Sequence, residues 1–264
     1  MVAILSNQRD VIFAAVQAMY TEVASHPARG FHFPTGRAAC EFVGYPTEQL
    51  DAIPAAAVES FAGVGYPFAA DAIEPSDTVL DIGSGSGTDA LIASHLAGPR
   101  GRVIGLDMTP AMLDKLERNA ALAGATTVEW LQGNAEEIPL PASSVDVVTS
   151  NGVINLVPDK PAALAEILRV LRPGGRVQIA DIVTGKPISD ACRSNPELWA
   201  ECVVGATTKD EYLELFRAAG FAEVEVLGHL DYFSASSSPE TRSIAASFNA
   251  HSLVMRAVKP PAGK

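Results

Sequence analysis

The run Val79-Leu80-Asp81-Ile82-Gly83-Ser84-Gly85-Ser86-Gly87-Thr88-Asp89 decides how the rest of the chain is read. Apart from Asp81 its first four residues are apolar, which predicts a buried strand. Glycines at 83, 85 and 87 then break that strand. A 3.6-residue period restarts in TDALIASHLA and closes at Gly98-Pro99, the pattern of a helix with a glycine stop. Strand, glycine turn and helix start make a corner suited to a nucleotide. Glycines let the backbone approach a ligand, and the first-turn N–H groups are expected to face it.

Dinucleotide-binding enzymes share this device, and GSGTDA, read from Gly85, satisfies G-x-G-x-x-A. Two features favour S-adenosylmethionine over NAD. Asp81 ends the strand two residues before the first glycine, where it would repel a pyrophosphate but suits the ammonium of a methionine moiety. In addition, no Lys or Arg falls between Val79 and Leu96 to meet a phosphate.

Working outward, 264 residues suit one α/β domain with an added segment. A hydrophobic fraction of 48 % supplies a core. Net charge is −12 and the pI is near 4.8, which argues against a nucleic-acid partner. The apolar start MVAIL is too short for a signal peptide, and no stretch of about 18 apolar residues predicts a membrane span. Three cysteines without paired spacing argue against a disulfide framework and predict a cytoplasmic protein.

Residues 1–70 read as an N-terminal helical extension. VIFAAVQAMYTEVA places Val11, Ile12, Ala15, Val16, Met19 and Tyr20 on one face. The Gly- and aromatic-rich stretch Phe61–Phe68 that follows is either a lid or a static cap. From Asp77 strands and helices alternate, as in a parallel sheet covered on both faces. RVIGLD ends at Asp107, 20 residues past Gly87, where the ribose-binding acid of such folds is expected. Thr109, Pro110 and Gly124 bound the next helix, and VEWLQG and SVDVVTS are the third and fourth strands. DKPAALAEILRVL, stopped by Arg172-Pro173-Gly174-Gly175, leads to RVQIADIV. Thr208 with Glu211 forms a capping box for the last clear helix; FAEVEVL and HSLVMRAVK complete the strands, while 228–250 carries no decisive pattern.

Taken together and in this order, VLDIGSGSG, VIGLDMT, GNAEEIPLP, SVDVVTSN and LRPGGRV resemble the class I S-adenosylmethionine-dependent methyltransferases. The resemblance implies a Rossmann-like, seven-stranded, mostly parallel sheet with an antiparallel last strand. The core would span 71–184, with 185–264 completing the sheet and the substrate side. GVGYPF, SNGVINLVPDK, ELWAECVVGA and FNAHSLVMRAVK are similar to the arsenite methyltransferases. One position departs: a cysteine follows the strand-ending asparagine in that family, and here it is Gly152.

By the same resemblance, Gly83, Ser84 and Gly85 meet the methionine portion and Asp81 orients its ammonium. Asp107 accepts the ribose hydroxyls, and Met108 packs on adenine unless it is ordinary core. Asn134 and Ala135 read the adenine edge, and Asn151 lies near the sulfonium. Cys202 matches the family cysteine of C-V-x-G-A, and a soft thiolate suits trivalent arsenic. Cys40 and Cys192 either complete that set or are packing residues. His95 reads as a surface residue, and His26, His32, His229 and His251 lack metal-ligand spacing. Glu136 and Glu137 read as a solvated turn. The expected acceptor is a small molecule or metalloid. A protein that binds the cofactor without turnover stays open.

Overall fold

The computed structural model describes residues 6–188 and 203–263. Four helices come first: α1 (Ser6–Ser25), α2 (Gly36–Phe42), α3 (Thr47–Asp51) and α4 (Ala55–Val58), then a 3-10 turn at Pro67–Ala70. Helix α1 buries Ile12, Val16 and Val23. Val11 is 51 % exposed, so the buried face is rotated from the expected one, which had included Val11.

The sheet is built from β1 (Thr78–Ile82), β2 (Arg102–Asp107), β3 (Val128–Gln132), β4 (Val145–Asn151), β5 (Leu171–Val183), β6 (Ala222–Leu230) and β7 (His251–Val258). Its order is β3-β2-β1-β4-β5-β7-β6. Strands β1 to β5 run parallel, and β7 lies antiparallel between β5 and β6. This is the seven-stranded, mostly parallel sheet expected from the sequence. Alternation along each strand splits the core: Val79, Val103 and Val147 join the cluster beneath α1, α5 (Thr88–Ala97) and α6 (Pro110–Ala123). Leu80, Ile104 and Val148 join the cluster beneath α7 (Lys160–Val170) and α8 (Lys209–Ala219).

The element boundaries follow local chemistry. Gly87 (φ 97°) and Gly98 (φ 72°) bracket α5. Thr208 and Glu211 form the reciprocal capping box expected at the start of α8. The unassigned 228–250 stretch ends β6 and forms a 3-10 turn and α9 (Pro239–Phe248). Ser238 caps α9 by accepting from the Thr241 N–H, and Asn249 (φ 51°) closes it. Cys192, Trp199 and Cys202 lie outside the described residues.

This topology reverses direction between β1 and β4, with β2 and β3 on one side and β5 on the other. Ligands of open α/β sheets bind at such a switch, beyond the carboxyl ends of the strands. Pairing of Asp81 with Gly105 and of Ile82 with Ser150 brings the ends of β1, β2 and β4 to one place.

Candidate active site

A cavity opens at those strand ends. Its floor is the glycine turn after β1. Gly83 has φ 72°, and a Cβ there would stand 2.3 Å from the Val153 side chain, so the turn and the loop after β4 touch only because this residue is glycine. The sequence led to the expectation that N–H groups of the first helical turn face a ligand, with Gly83, Ser84 and Gly85 against its methionine portion. The N–H groups of the glycine turn itself are bonded within the chain. Gly83 and Ser84 donate to the Leu106 carbonyl at 2.7 and 3.1 Å, and Gly85 donates to Asp107 at 2.9 Å. The Ala90 N–H, in the first turn of α5, donates to Asp81. A carboxylate of the chain itself thus occupies the helix start that would otherwise attract an anion.

Asp81 is 1 % exposed, and its Oδ2 has no partner among the described residues. Burial, followed by the charges of Asp89 and Asp107, pushes its carboxyl well above the usual range. Asp107 accepts from the Thr109 N–H at 2.8 Å as well as from Gly85. Burial raises it too, against those hydrogen bonds. Its oxygens keep lone pairs for further donors.

Met108 and Met112 line the cavity with Asn134 and Ala135. Gln17 of α1 donates to the Met108 carbonyl at 2.7 Å. Asn134 turns its Oδ1 onto the Glu136 N–H at 2.9 Å. Glu136 was expected in a solvated turn, but its side chain is only 3 % exposed. It pairs with Arg9 of α1 and accepts from the Asp159 N–H at 2.8 Å, fastening α1 beside the site. Phe13, Val16 and Tyr20 of α1 complete that wall.

At the end of β4, Asn151 lines the cavity, and its amide holds the N-terminal segment. Oδ1 accepts from the N–H groups of Val64 (2.7 Å) and Gly65 (3.2 Å). Nδ2 donates to the Gly65 carbonyl (2.9 Å), the Tyr45 hydroxyl (3.0 Å) and Asp89 (3.1 Å). Tyr45 donates in turn to the other Asp89 oxygen. Sequence reasoning missed both Asp89 and Tyr45. Asp89 closed the decisive motif and read as a helix start, whereas Tyr45 gave no local signal. Burial raises Asp89 to about 6, with the Tyr45 and Asn151 hydrogen bonds opposing it.

Next to Asn151, Gly152 has φ 73°, and a Cβ would lie 3.2 Å from Val64 Cγ1. Position 152, where the resemblance led to the expectation of a cysteine, thus has no side chain and Val64 packed against it. Cys40 is fully buried away from the cavity wall, its thiol pushed up by burial and the Asp89 charge. Among the described residues no three His, Cys, Asp or Glu side chains converge as a metal site. His95 is exposed, His26 lies 3.4 Å from Glu22, and His229 and His251 meet edge to face at 5.1 Å. Below the cavity, buried Lys160 donates to the carbonyls of Asn155 (2.9 Å), Val157 (2.9 Å) and Gly205 (2.7 Å). Asp181, raised by burial to about 7, accepts from the Asn155 N–H and the Tyr212 hydroxyl. This knot fixes the Asn155–Val157 loop, which supplies cavity wall.

The family model described as a methyltransferase domain matches residues 73–220, more than half of the chain. The chain belongs to the methyltransferase-domain family. Among similar proteins, an arsenite methyltransferase of Halobacterium salinarum is 40 % identical over 192 residues, covering 73 % of this chain and 49 % of the relative. A demethylmenaquinone methyltransferase of Lactococcus lactis is 34 % identical, covering 58 % of this chain and 68 % of the relative. The solved arsenic(III) S-adenosylmethionine methyltransferase of Chlamydomonas reinhardtii has TM-score 0.61 and 30 % identity, covering 88 % of this chain and 76 % of that one. The chain spans about half the length of the arsenite methyltransferases it matches.

This methyltransferase-domain corner fits S-adenosylmethionine on its own geometry. An orphaned, buried carboxylate oxygen at Asp81 calls for a cation, which the cofactor carries and a dinucleotide pyrophosphate does not. The Ala90 N–H at the helix start is already taken by Asp81, and Asp107 stands one strand away. No helix among the described residues is long and apolar enough to cross a membrane.

Proposed function

We propose that this chain transfers a methyl group from S-adenosylmethionine to a small molecule or metalloid. The unpartnered Asp81 oxygen, in a corner where the N–H groups of Gly83, Ser84 and Gly85 are already used, is the observation that carries the reading. Asp81 takes the ammonium, Asp107 the ribose hydroxyls, and Met108, Asn134 and Ala135 border the adenine. The cofactor supplies an activated methyl on a sulfonium. Bound there, it would give that methyl to a lone pair of the acceptor, the C–S electron pair returning to sulfur to leave S-adenosylhomocysteine. The chain's part is alignment and exclusion of water.

Neither acid on the wall is a free base. Asp107 is held by two backbone N–H groups, and Asp89 by Tyr45 and Asn151. An acceptor with its own lone pair, or one that arrives ionised, suits such a site. Two acceptor classes meet that condition. Trivalent arsenic is supported by the similarity to arsenite methyltransferases and by Cys202 at the family position. A reduced quinone or other planar phenolate is supported by the aromatic and aliphatic wall around Gly152 and by the quinone methyltransferase among the relatives.

An acceptor screen tests the proposal, with S-adenosylhomocysteine release measured against arsenite plus glutathione, selenite, thiols, phenols and a reduced naphthoquinone. Arsenite turnover lost in Cys202→Ser supports the metalloid reading. Turnover of the quinol alone supports the second reading. Release with no acceptor leaves a binder without turnover and refutes both.

A further inference from the structure

The buried contact between Tyr45 and Asp89 has no place in the methyl transfer described above, yet it joins the N-terminal segment to the cofactor corner. Tyr45 lies between α2 and α3, and its ring is wedged edge to face against Phe61 (5.2 Å) and Tyr66 (4.9 Å). Only its hydroxyl reaches the corner, donating to Asp89 and accepting from Asn151. Asp89 is 6 % exposed and sits on the cavity wall. Asp81, 1 % exposed with Oδ2 unpartnered, is near enough for the Asp89 charge to act on it. No Lys, Arg or His is among the described residues that line the cavity. Asp81 accepts from the N–H of Ala90, the residue after Asp89, so the two dry acids share one corner and favour a cation there.

We propose that Tyr45 is a positioning residue for the cofactor: from the N-terminal segment it turns Asp89 toward Asp81, so that both carboxylates grip the ammonium of S-adenosylmethionine. The inference rests on the cofactor reading above and adds a second acid, together with the residue that aims it. Asn151 holds the opposite Asp89 oxygen, so the carboxylate is fixed from both sides. Seating the N-terminal segment and completing the ammonium site are then one event. A loose N-terminal segment leaves Asp89 free to rotate, and the methionine end loses half of its grip.

Two ligands separate this role from a merely structural one. S-adenosylhomocysteine carries the amino-acid end, and 5′-methylthioadenosine lacks it while keeping the ribose and adenine. Titration calorimetry of the full chain is expected to show that wild type prefers S-adenosylhomocysteine. In Tyr45→Phe, that ligand should bind about tenfold more weakly, as for a lost hydrogen bond to a charged group, with 5′-methylthioadenosine changed less than twofold. Asp89→Asn should show the same selective loss, and it decides the matter if Tyr45→Phe does not fold. Equal losses for both ligands, or none for either, would overturn the assignment. Wild type binding neither ligand, or both alike, would instead refute the cofactor reading beneath it, before any variant is made.

Discussion

Cofactor affinity is predicted to climb with pH, because seating a cation in this corner expels protons. In the free protein Asp89 sits at about 6, while Asp81 and Asp107 are raised by burial. The titratable groups that share the Asp89 charge are Asp81, the hydroxyls of Tyr45 and Tyr66, and the Cys40 thiol. A cation between the carboxylates lowers their pKa values, so the complex holds fewer protons than the free protein. A group with its higher pKa in the free state makes affinity rise with pH until that pKa is passed. For Asp89 alone, the step from pH 5 to pH 7 is worth about tenfold, or ~1.4 kcal/mol, if the bound value falls well below 5. Asp81 extends the climb. A ceiling follows near pH 8, where an α-amino group loses its own proton.

Titrations of S-adenosylhomocysteine at pH 5, 6, 7 and 8, in two buffers of different ionisation enthalpy, give both affinity and proton release. Stability has the matching sign. A carboxyl raised in the folded state contributes stability that is complete below its unfolded pKa and is lost as pH rises through the folded one. For Asp89 that loss is about 3 kcal/mol, from the usual 3.8 up to about 6. Asp181, at about 7, acts the same way with or without ligand. The rise in Tm on adding S-adenosylhomocysteine should therefore grow from pH 5 to pH 8. Affinity that stays flat from pH 5 to pH 7, with no buffer-dependent heat, would refute the reasoning.

Asp107→Ala should weaken S-adenosylhomocysteine by about 1.5–3 kcal/mol through lost charge-assisted hydrogen bonds, read by calorimetry. The Gln17 and Asn151 ties to the cavity wall predict that this ligand slows amide exchange in α1 and across 58–66. Unchanged protection there would mark the segment as a static cap. Lys160→Met should cost about 3 kcal/mol or more in urea unfolding, since three carbonyls lose their donor and Asp181 loses a nearby cation. Gly152→Cys, which restores the family thiol, should be destabilised by ~1–2 kcal/mol by its positive φ, and pairing it with Val64→Ala should relieve the Cβ contact. If the thiol is what arsenic lacks, the double variant should methylate arsenite faster than wild type.

The sheet was legible because its signals are local: period-2 and 3.6-period runs, glycine stops, and the Thr208–Glu211 capping box. The places of Asp81 and Asp107 near the ends of β1 and β2 were legible for the same reason, while their roles toward a cofactor are proposals. What escaped was set by tertiary contact. Glu136 looked solvated because nothing near it in sequence announces Arg9, 127 residues away. Tyr45 and Asp89, 44 apart, meet only once the N-terminal helices fold over the strand ends. The acceptors of the glycine turn's N–H groups, Leu106 and Asp107, went unread because they belong to another strand. A glycine motif predicts where a backbone bends, while the partners of its donors depend on the neighbouring strand.

Those same contacts bear on the acceptor. Asn151 spends its polar atoms on Val64, Gly65, Tyr45 and Asp89, so it shapes the wall and is not free to act on the methyl group. The adjacent wall at Gly152, Val153, Leu156 and Val157 carries no sulfur. A soft acceptor would have to be held from elsewhere, by Cys202 or by thiols that it brings with it, whereas a planar apolar acceptor meets a ready surface. A thiol-bound arsenic substrate should therefore lose turnover steeply when free glutathione is withdrawn, and a quinol should not. Quinol turnover that falls in parallel with that of arsenite would show that glutathione serves the protein itself, and the distinction between the two acceptors would fail.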